Sequence, residues 1–396
     1  MNIIPYGKQN ITQEDIDAVV AALKSDYLTQ GPLISEFEQK FAKYIGSKFA
    51  VAVSNGTTAL HLCTLALGVK KGDKVITTPI TFAASANCVR YCDGEVVFAD
   101  INPETYLIDY EYVKSLLESL PVGTFKGLVL VDFAGRAIDL EKFRDLANKY
   151  GLWIIEDACH APGGFYRDSN GCIHNCGSGE FADLAIFSFH PVKHIASGEG
   201  GMITTNDENL YKKLLKLRTH GITRIDTEFV NTAKFAIGED AKENIYPGWY
   251  MEMQTLGFNY RLTDFQAALG ISQLNRAVEG INRRKEIAQK YYNSFNKKEF
   301  IKGQSGFIDG HAYHLYIIEV ENRLGLYNFL KDNNVFVQIH YIPCHLMPYY
   351  KQYGWAEGDL PRAEKYYKHC LSLPMYPTLT NSEQDFVISL INKFYE

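Results

Sequence analysis

The chain has 396 residues, 46% of them hydrophobic, enough for one large domain with a smaller one beside it. A formal net charge of −6 without a basic stripe argues against nucleic acid as the main partner. No apolar run approaches the roughly 20 residues a membrane span needs, and the opening MNIIPYGKQNITQED lacks the pattern of an export signal, so no membrane is expected.

In chain order, ITQEDIDAVVAALKS reads as an amphipathic helix with Thr12 as its N-cap. VAVSNGTTALHL is a strand-like run, then a glycine turn, then a helix. DKVITTP is a short buried strand, SANCVRYC a helix and EVVFAD a strand. FKGLVLVDF is a strand, LEKFRDLANKY a helix stopped by Gly151, and LWIIED a strand. FADLAIFSF and GGMITTN are two more. Strands separated by helices imply parallel pairing in an α/β sheet covered on both faces. Residues 225–255 are polar and irregular and read as a mobile loop. Beyond them, TDFQAALGISQLNRAVEGINRRKEIAQKYYNSF reads as one long helix or a broken pair. HLYIIEV and VFVQIHYI follow as strands around the helix NRLGLYNFLKDN. The expected division is a large domain over 1–265 and a small α+β domain over 266–396.

The eight cysteines are scattered, and Cys63 and Cys88 sit in apolar helical contexts, which fits a reducing cytoplasm. CIHNC brings Cys172, His174 and Cys176 together, with His160 upstream. A zinc site needs a second ligand pair at finger spacing, which is missing, and the surrounding turn residues favour an ordinary loop, so no metal is expected.

Ligands of open α/β sheets bind beyond the carboxyl ends of strands, and three such ends carry unusual residues. At Ser54-Asn55-Gly56-Thr57-Thr58 the backbone can approach a ligand, and Thr57 and Thr58 open a helix whose amides could take an anion. The same residues also read as a plain helix cap. Glu156-Asp157 end the LWII strand, either as turn acids or as a carboxylate that holds a protonated ring nitrogen. In FSFHPVKHIASGEGG, Ser188 precedes Lys193, which reads either as a surface lysine or as a partly desolvated, nucleophilic amine. Together an anion site, a ring-nitrogen acid and a nucleophilic lysine match the three fixed contacts of pyridoxal phosphate, and Phe82 is the candidate to cover its ring.

The stretches YLTQGP, SNGTTALHL, GDKVITTPITFAASAN, IIEDACHAPGG, FSFHPVKHIASGEGGMITTND, RTHGI and LGFNYRLTDFQAALGISQL, with HLY and IHYIPCHLMPYY further on, resemble the DegT/DnrJ/EryC1/StrS family of sugar-nucleotide aminotransferases. The resemblance implies the type I fold of pyridoxal-phosphate aminotransferases, with a mostly parallel seven-stranded sheet and a smaller C-terminal α+β domain. It also implies residue roles. Lys193 takes the cofactor aldehyde, Asp157 pairs with the pyridine nitrogen, and His160, where the family more often has glutamine, reaches the phenolic oxygen. Phe82 stacks on the ring, and Thr57, Thr58 and Ser188 hold the phosphate. Asn259 reaches the phosphate of a neighbouring subunit, so a homodimer with shared sites is expected. One departure is the turn-rich GFYRDSNGCIHNCGSGEF, a longer hairpin than usual, expected to bear on substrate access.

The same stretches look most like the subgroup of pseudaminic acid biosynthesis. Its members move an amino group from L-glutamate to C4 of a UDP-linked 4-keto-6-deoxy-N-acetylhexosamine, in the cytoplasm. Tyr6, Asp26, Tyr27, Leu28, Thr29, Asn55, Tyr313, His314, Leu315 and Tyr316 are then expected to line the nucleotide-sugar site, although Tyr6 and Tyr316 also read as core aromatics. Rival readings are a perosamine or bacillosamine-type aminotransferase, a dehydratase with histidine for the lysine (His194 stands next to Lys193), and a non-catalytic protein on the same scaffold.

Overall fold

The computed structural model describes residues 3–238, 245–303 and 307–396. Two helices lead, α1 (Gln13–Leu23) and α2 (Pro32–Ile45). Asp15 accepts the Thr12 amide at 2.9 Å, one half of a capping box, and Pro32 opens α2 where its missing N–H costs nothing. The sheet strands β1 (Phe49–Val53), β2 (Lys74–Thr77), β3 (Glu95–Phe98), β4 (Phe125–Val131) and β5 (Trp153–Asp157) follow. They alternate with α3 (Gly56–Ala66), α4 (Ala84–Tyr91), α5 (Tyr110–Ser119) and α6 (Leu140–Tyr150). Gly151 ends α6 in the left-handed conformation, the expected helix stop. A hairpin of β6 (Phe165–Arg167) and β7 (Ile173–Asn175) precedes β8 (Leu184–Ser188) and β9 (Gly201–Thr205).

The seven-stranded sheet has the order β1-β9-β8-β5-β4-β2-β3. Neighbours from β3 to β8 pair in parallel, and β9 alone runs against both β8 and β1. The carboxyl ends of β1, β4, β5 and β8 therefore share one edge, where a ligand crevice is expected. One face is sealed by α2 with α9 (Asp264–Asn275), through Phe37, Phe41, Phe187, Phe189, Ala267 and Ile271. The other is sealed by α3, α4 and α7 (Glu208–Arg218), through Leu60, Cys63, Cys88 and Leu214. Burial on both faces explains the near-continuous apolar strand runs. Phe41 is fully buried against the rings of Phe37, Tyr44, Phe187 and Phe189. Phe41→Ala should cost about 3–5 kcal/mol, read as a lower urea midpoint at unchanged m-value.

The segment 225–255 is not featureless. It holds α8 (Ala233–Ile237) and β11 (Glu252–Met253), which pairs with β10 (Ile222–Thr223), while 239–244 lie outside the described residues. The long helical stretch is a broken pair: Arg276 separates α9 from α10 (Ala277–Phe295). The anticipated division at 265/266 falls in the first turn of α9, whose apolar face packs in the large core. Helix α10 passes from that core at Ile281 into a second one at Ile287. The second core gathers α11 (Arg323–Asp332), α12 (Asn381–Tyr395) and a small antiparallel sheet of β12 (Ile301–Gly303), β13 (Tyr316–Val320) and β14 (Cys370–Leu373). VFVQIHYI does not form the expected strand. Val335 bridges Ile4 and Gln338 bridges Ser372, two different neighbours, so no continuous ladder develops.

Candidate active site

The shared strand edge opens into a cavity of about 460 Å³, lined by Asn55, Gly56 and Thr57 after β1, by Asp157 at the end of β5 with Cys159 and His160 beyond it, and by Ser188 at the end of β8 with His190 and Lys193 beyond it. Phe82 and Ser85 from the start of α4, Tyr6, His314, His340 and Tyr341 complete the wall.

Asn55 caps α3 by accepting the Thr58 amide at 2.8 Å. The amides of Gly56 and Thr57 are the free donors of that helix start, a place for an anion. A Cβ on Gly56 would lie 3.0 Å from the Ser188 Cβ, and one on Gly201 would lie 2.5 Å from the Asn55 carbonyl oxygen. Only glycine lets β9, the turn and Ser188 close together here. Thr57 faces the cavity. Thr58 turns its hydroxyl to the Asn55 carbonyl at 2.8 Å and borders a second hollow with His61, Tyr91 and Tyr260.

Asp157 is 5% exposed and fixed at both oxygens: Oδ2 accepts the Ser85 hydroxyl at 2.6 Å, and Oδ1 accepts the Cys159 amide at 3.2 Å. Ser85 is held in turn by Thr81 at 2.8 Å. This buried carboxylate has hydrogen-bond capacity to spare for a cation. The Nδ1 of His160 accepts the Ala134 amide at 3.2 Å, so its proton sits on Nε2, 3.2 Å from the Tyr341 hydroxyl. Burial, then the Lys193 charge, holds the imidazole well below its usual pKa, which makes His160 a neutral N–H donor.

Lys193 follows β8 in a turn in which its amide donates to the His190 carbonyl at 2.8 Å. Burial, the largest effect, pulls its amine below the usual lysine pKa; Cys159 and Asp157 pull the other way, and Arg284 adds to the lowering. It is the one lysine or arginine among the described lining residues. Arg284, fully buried, donates to the carbonyls of Tyr313 and His314 at 3.2 Å and of Met375 at 2.9 Å, which pins the segment that carries His314. Phe82 is 63% exposed, and its ring is tilted against that of Tyr341 with centroids 6.4 Å apart.

The structure thus brings together Thr57, Phe82, Asp157, His160, Ser188 and Lys193 with Tyr6, Asn55 and His314. It does not bring in Tyr313, Leu315 and Tyr316, which are buried in the cores, nor the exposed Asp26, Tyr27, Leu28 and Thr29. Asn259 is exposed and lies outside its own chain's cavity. The hairpin residues 165–175 do not line it either. The CIHNC residues separate: Cys172 is exposed, His174 meets Asp168 at 3.0 Å, and Cys176 is buried. Sequence reading missed Ser85 and Tyr341. Their partners lie far along the chain, and a hydroxyl in SANC or HYI carries no local signal.

These residues fit pyridoxal phosphate. There are free amides for a phosphate, an anchored carboxylate for a ring nitrogen, a neutral N–H for the ring oxygen and an amine of lowered pKa. Such a fold and site define a pyridoxal-phosphate-dependent aminotransferase of fold type I. The sequence profile of the DegT/DnrJ/EryC1/StrS aminotransferase family matches residues 9–392, and the chain belongs to that family.

Among its relatives, the spore coat polysaccharide biosynthesis protein SpsC of Bacillus subtilis is 37% identical, covering 98% of this chain and 96% of its own. The UDP-4-amino-4,6-dideoxy-N-acetyl-beta-L-altrosamine transaminase of Campylobacter jejuni (strain 81-176) is 34% identical, covering 97% and 96%. Among solved structures, PseC of Helicobacter pylori, an aminotransferase of pseudaminic acid biosynthesis, superposes with a TM-score of 0.86 at 28% identity, over 100% of this chain and 99% of that one. The PLP form of Spr1654 from Streptococcus pneumoniae gives 0.84 at 26% identity, over 99% of both chains.

Proposed function

We propose that this sugar aminotransferase moves the amino group of L-glutamate to C4 of a UDP-linked 4-keto-6-deoxy-N-acetylhexosamine, making UDP-4-amino-4,6-dideoxy-N-acetyl-β-L-altrosamine for pseudaminic acid. The observation that carries the reading is similarity over nearly the whole chain to the altrosamine transaminase and to PseC. A cavity that keeps the lysine and the ring acid together supports it.

Bound pyridoxal phosphate supplies an aldehyde and an electron-withdrawing ring, through which an amino group passes between donor and keto carbon. In the proposed roles, Lys193 takes the aldehyde and afterwards carries the proton to sugar C4 as acid and base. Asp157 keeps the ring nitrogen protonated, and the Nε2–H of His160 meets the ring oxygen. Phe82 covers the ring, and Ser188 and the start of α3 hold the phosphate. Asn259 serves the site of a second copy. The exposed apolar strip Trp249, Met251, Met253 and Leu256, just before it, supports a homodimer. No helix of the described residues is long and apolar enough to cross a membrane. All eight cysteines are unpaired, consistent with the proposed cytoplasmic setting.

The test uses protein loaded with pyridoxamine phosphate. On addition of UDP-2-acetamido-2,6-dideoxy-β-L-arabino-hexos-4-ulose, a visible absorption band should grow in as Lys193 recaptures the cofactor. An unchanged spectrum here, with a response to the C5 epimer or a GDP-linked 4-keto sugar, would replace the pseudaminic reading by a bacillosamine-type or perosamine one.

A further inference from the structure

Asp132, just past β4, and Glu156, the residue before Asp157, are buried together with Cys176 at the end of the hairpin. Their ligand atoms lie within 4.8 Å of one another, and none of the three lines the cavity. Strand alternation points Glu156 to the sheet face opposite Asp157. Each carboxyl uses one oxygen: Asp132 Oδ1 accepts the Ile138 amide at 2.9 Å, and Glu156 Oε1 accepts the Gly177 amide at 2.8 Å. The other two oxygens, Asp132 Oδ2 and Glu156 Oε2, are buried with no partner at hydrogen-bond distance among the described residues, and the Cys176 thiol, a weak donor, lies beside Asp132. Two ionised carboxylates so placed would repel at low dielectric and leave both atoms unsatisfied. One proton removes both faults, with Glu156 donating through Oε2 to Asp132.

We propose that Asp132 and Glu156 share one proton, and that this acid pair positions Asp157 and seats the 165–175 hairpin on the sheet. The connections are short. The amide of Asp132 donates to the Asp157 carbonyl at 3.1 Å. The bond to Ile138 closes the 132–138 turn, which contains Ala134, the donor that sets the proton on His160. The bond to Gly177 ties down the hairpin's return. The titratable groups around the pair are Asp157 on the same strand, Cys159 after it, Cys176 and, on β6, Tyr166. Burial raises both carboxyls above their usual range; the Asp132 charge raises Glu156 further, while hydrogen bonds from Glu156, the Ile138 amide and the Cys176 thiol pull Asp132 part of the way back.

The test compares wild type, Glu156→Gln and Asp132→Asn, full length and loaded with pyridoxal phosphate, by urea midpoint from about pH 5 to about pH 9. An acid that stays protonated in the fold adds stability below the unfolded carboxyl pKa of about 4, and that stability is lost as pH rises toward the raised folded value. The amide in Glu156→Gln has no proton to lose, and its N–H can replace the shared one. The midpoint difference should therefore move in that variant's favour as pH rises, and Asp132→Asn should behave alike. A difference that is flat, or that moves toward wild type, overturns the shared proton. Stability that falls on adding a chelator would put a metal ion in its place and overturn it too.

Positioning is read from the cofactor. Both amide variants should keep its dissociation constant within about threefold and its visible spectrum unchanged, whereas Asp132→Ala should weaken it at least about tenfold. Cofactor binding by Asp132→Ala equal to wild type, or amide variants as weak as alanine, overturns the positioning role.

Discussion

Lys193→Ala should abolish multiple turnover, by more than about 10,000-fold, with the melting temperature and far-UV spectrum of wild type. Stability should survive because the Lys193 amine makes no hydrogen bond or ion pair within the described chain, and its turn is held by its backbone amide. Activity should not survive, because no other described lining residue offers a primary amine. Lys193→Arg should not rescue: a guanidinium stays charged in a cavity whose burial favours the neutral amine, and it does not act as a nucleophile. Steady-state kinetics with the keto sugar, alongside a thermal melt, decides it. Substantial turnover by the alanine variant would remove the lysine from the chemistry.

Asp157→Asn should lower kcat about 150- to 5,000-fold, the rate equivalent of the roughly 3–5 kcal/mol lost when one partner of a buried charge pair goes. The amide oxygen can still accept the Ser85 hydroxyl, at the expense of the longer contact from the Cys159 amide, so the site's shape should largely persist and the loss chiefly reports charge. KM for the sugar should change much less than kcat, since the ring nitrogen lies at the cofactor and not at the sugar. A kcat near wild type would show that the carboxylate does not stabilise a protonated ring.

The elements that position this site were largely legible, for local reasons. Asn55-Gly56 and Gly151 mark a helix start and stop because capping and left-handed φ demand those residue types. The apolar runs that end at Asp157 and Ser188 betray buried parallel strands. What stayed hidden depends on pairing across the chain. Nothing local in GGMITTN shows that β9 runs against its neighbours. Nothing near Asp157 names Ser85 as its donor, or Tyr341 as the contact of His160. VFVQIHYI has every propensity of a strand, and lacks only a neighbour that stays beside it. In CIHNC the ligand-type residues have the i, i+2, i+4 spacing that a strand would line up on one face, but β7 covers only Ile173–Asn175, so both cysteines lie outside it, Cys172 exposed and Cys176 buried.

The reversed strand has a consequence for timing. Ser188 pairs with Gly201, so residues 189–200, which carry Lys193, form a loop whose two ends are stitched side by side before any ligand arrives. The entropy of closing that loop is spent when the chain folds. Substrate binding then need not recruit the amine from a flexible arm, and more of its energy is left to orient the sugar. Lengthening 189–200 by even a few residues would undo that head start while leaving every named side chain in place.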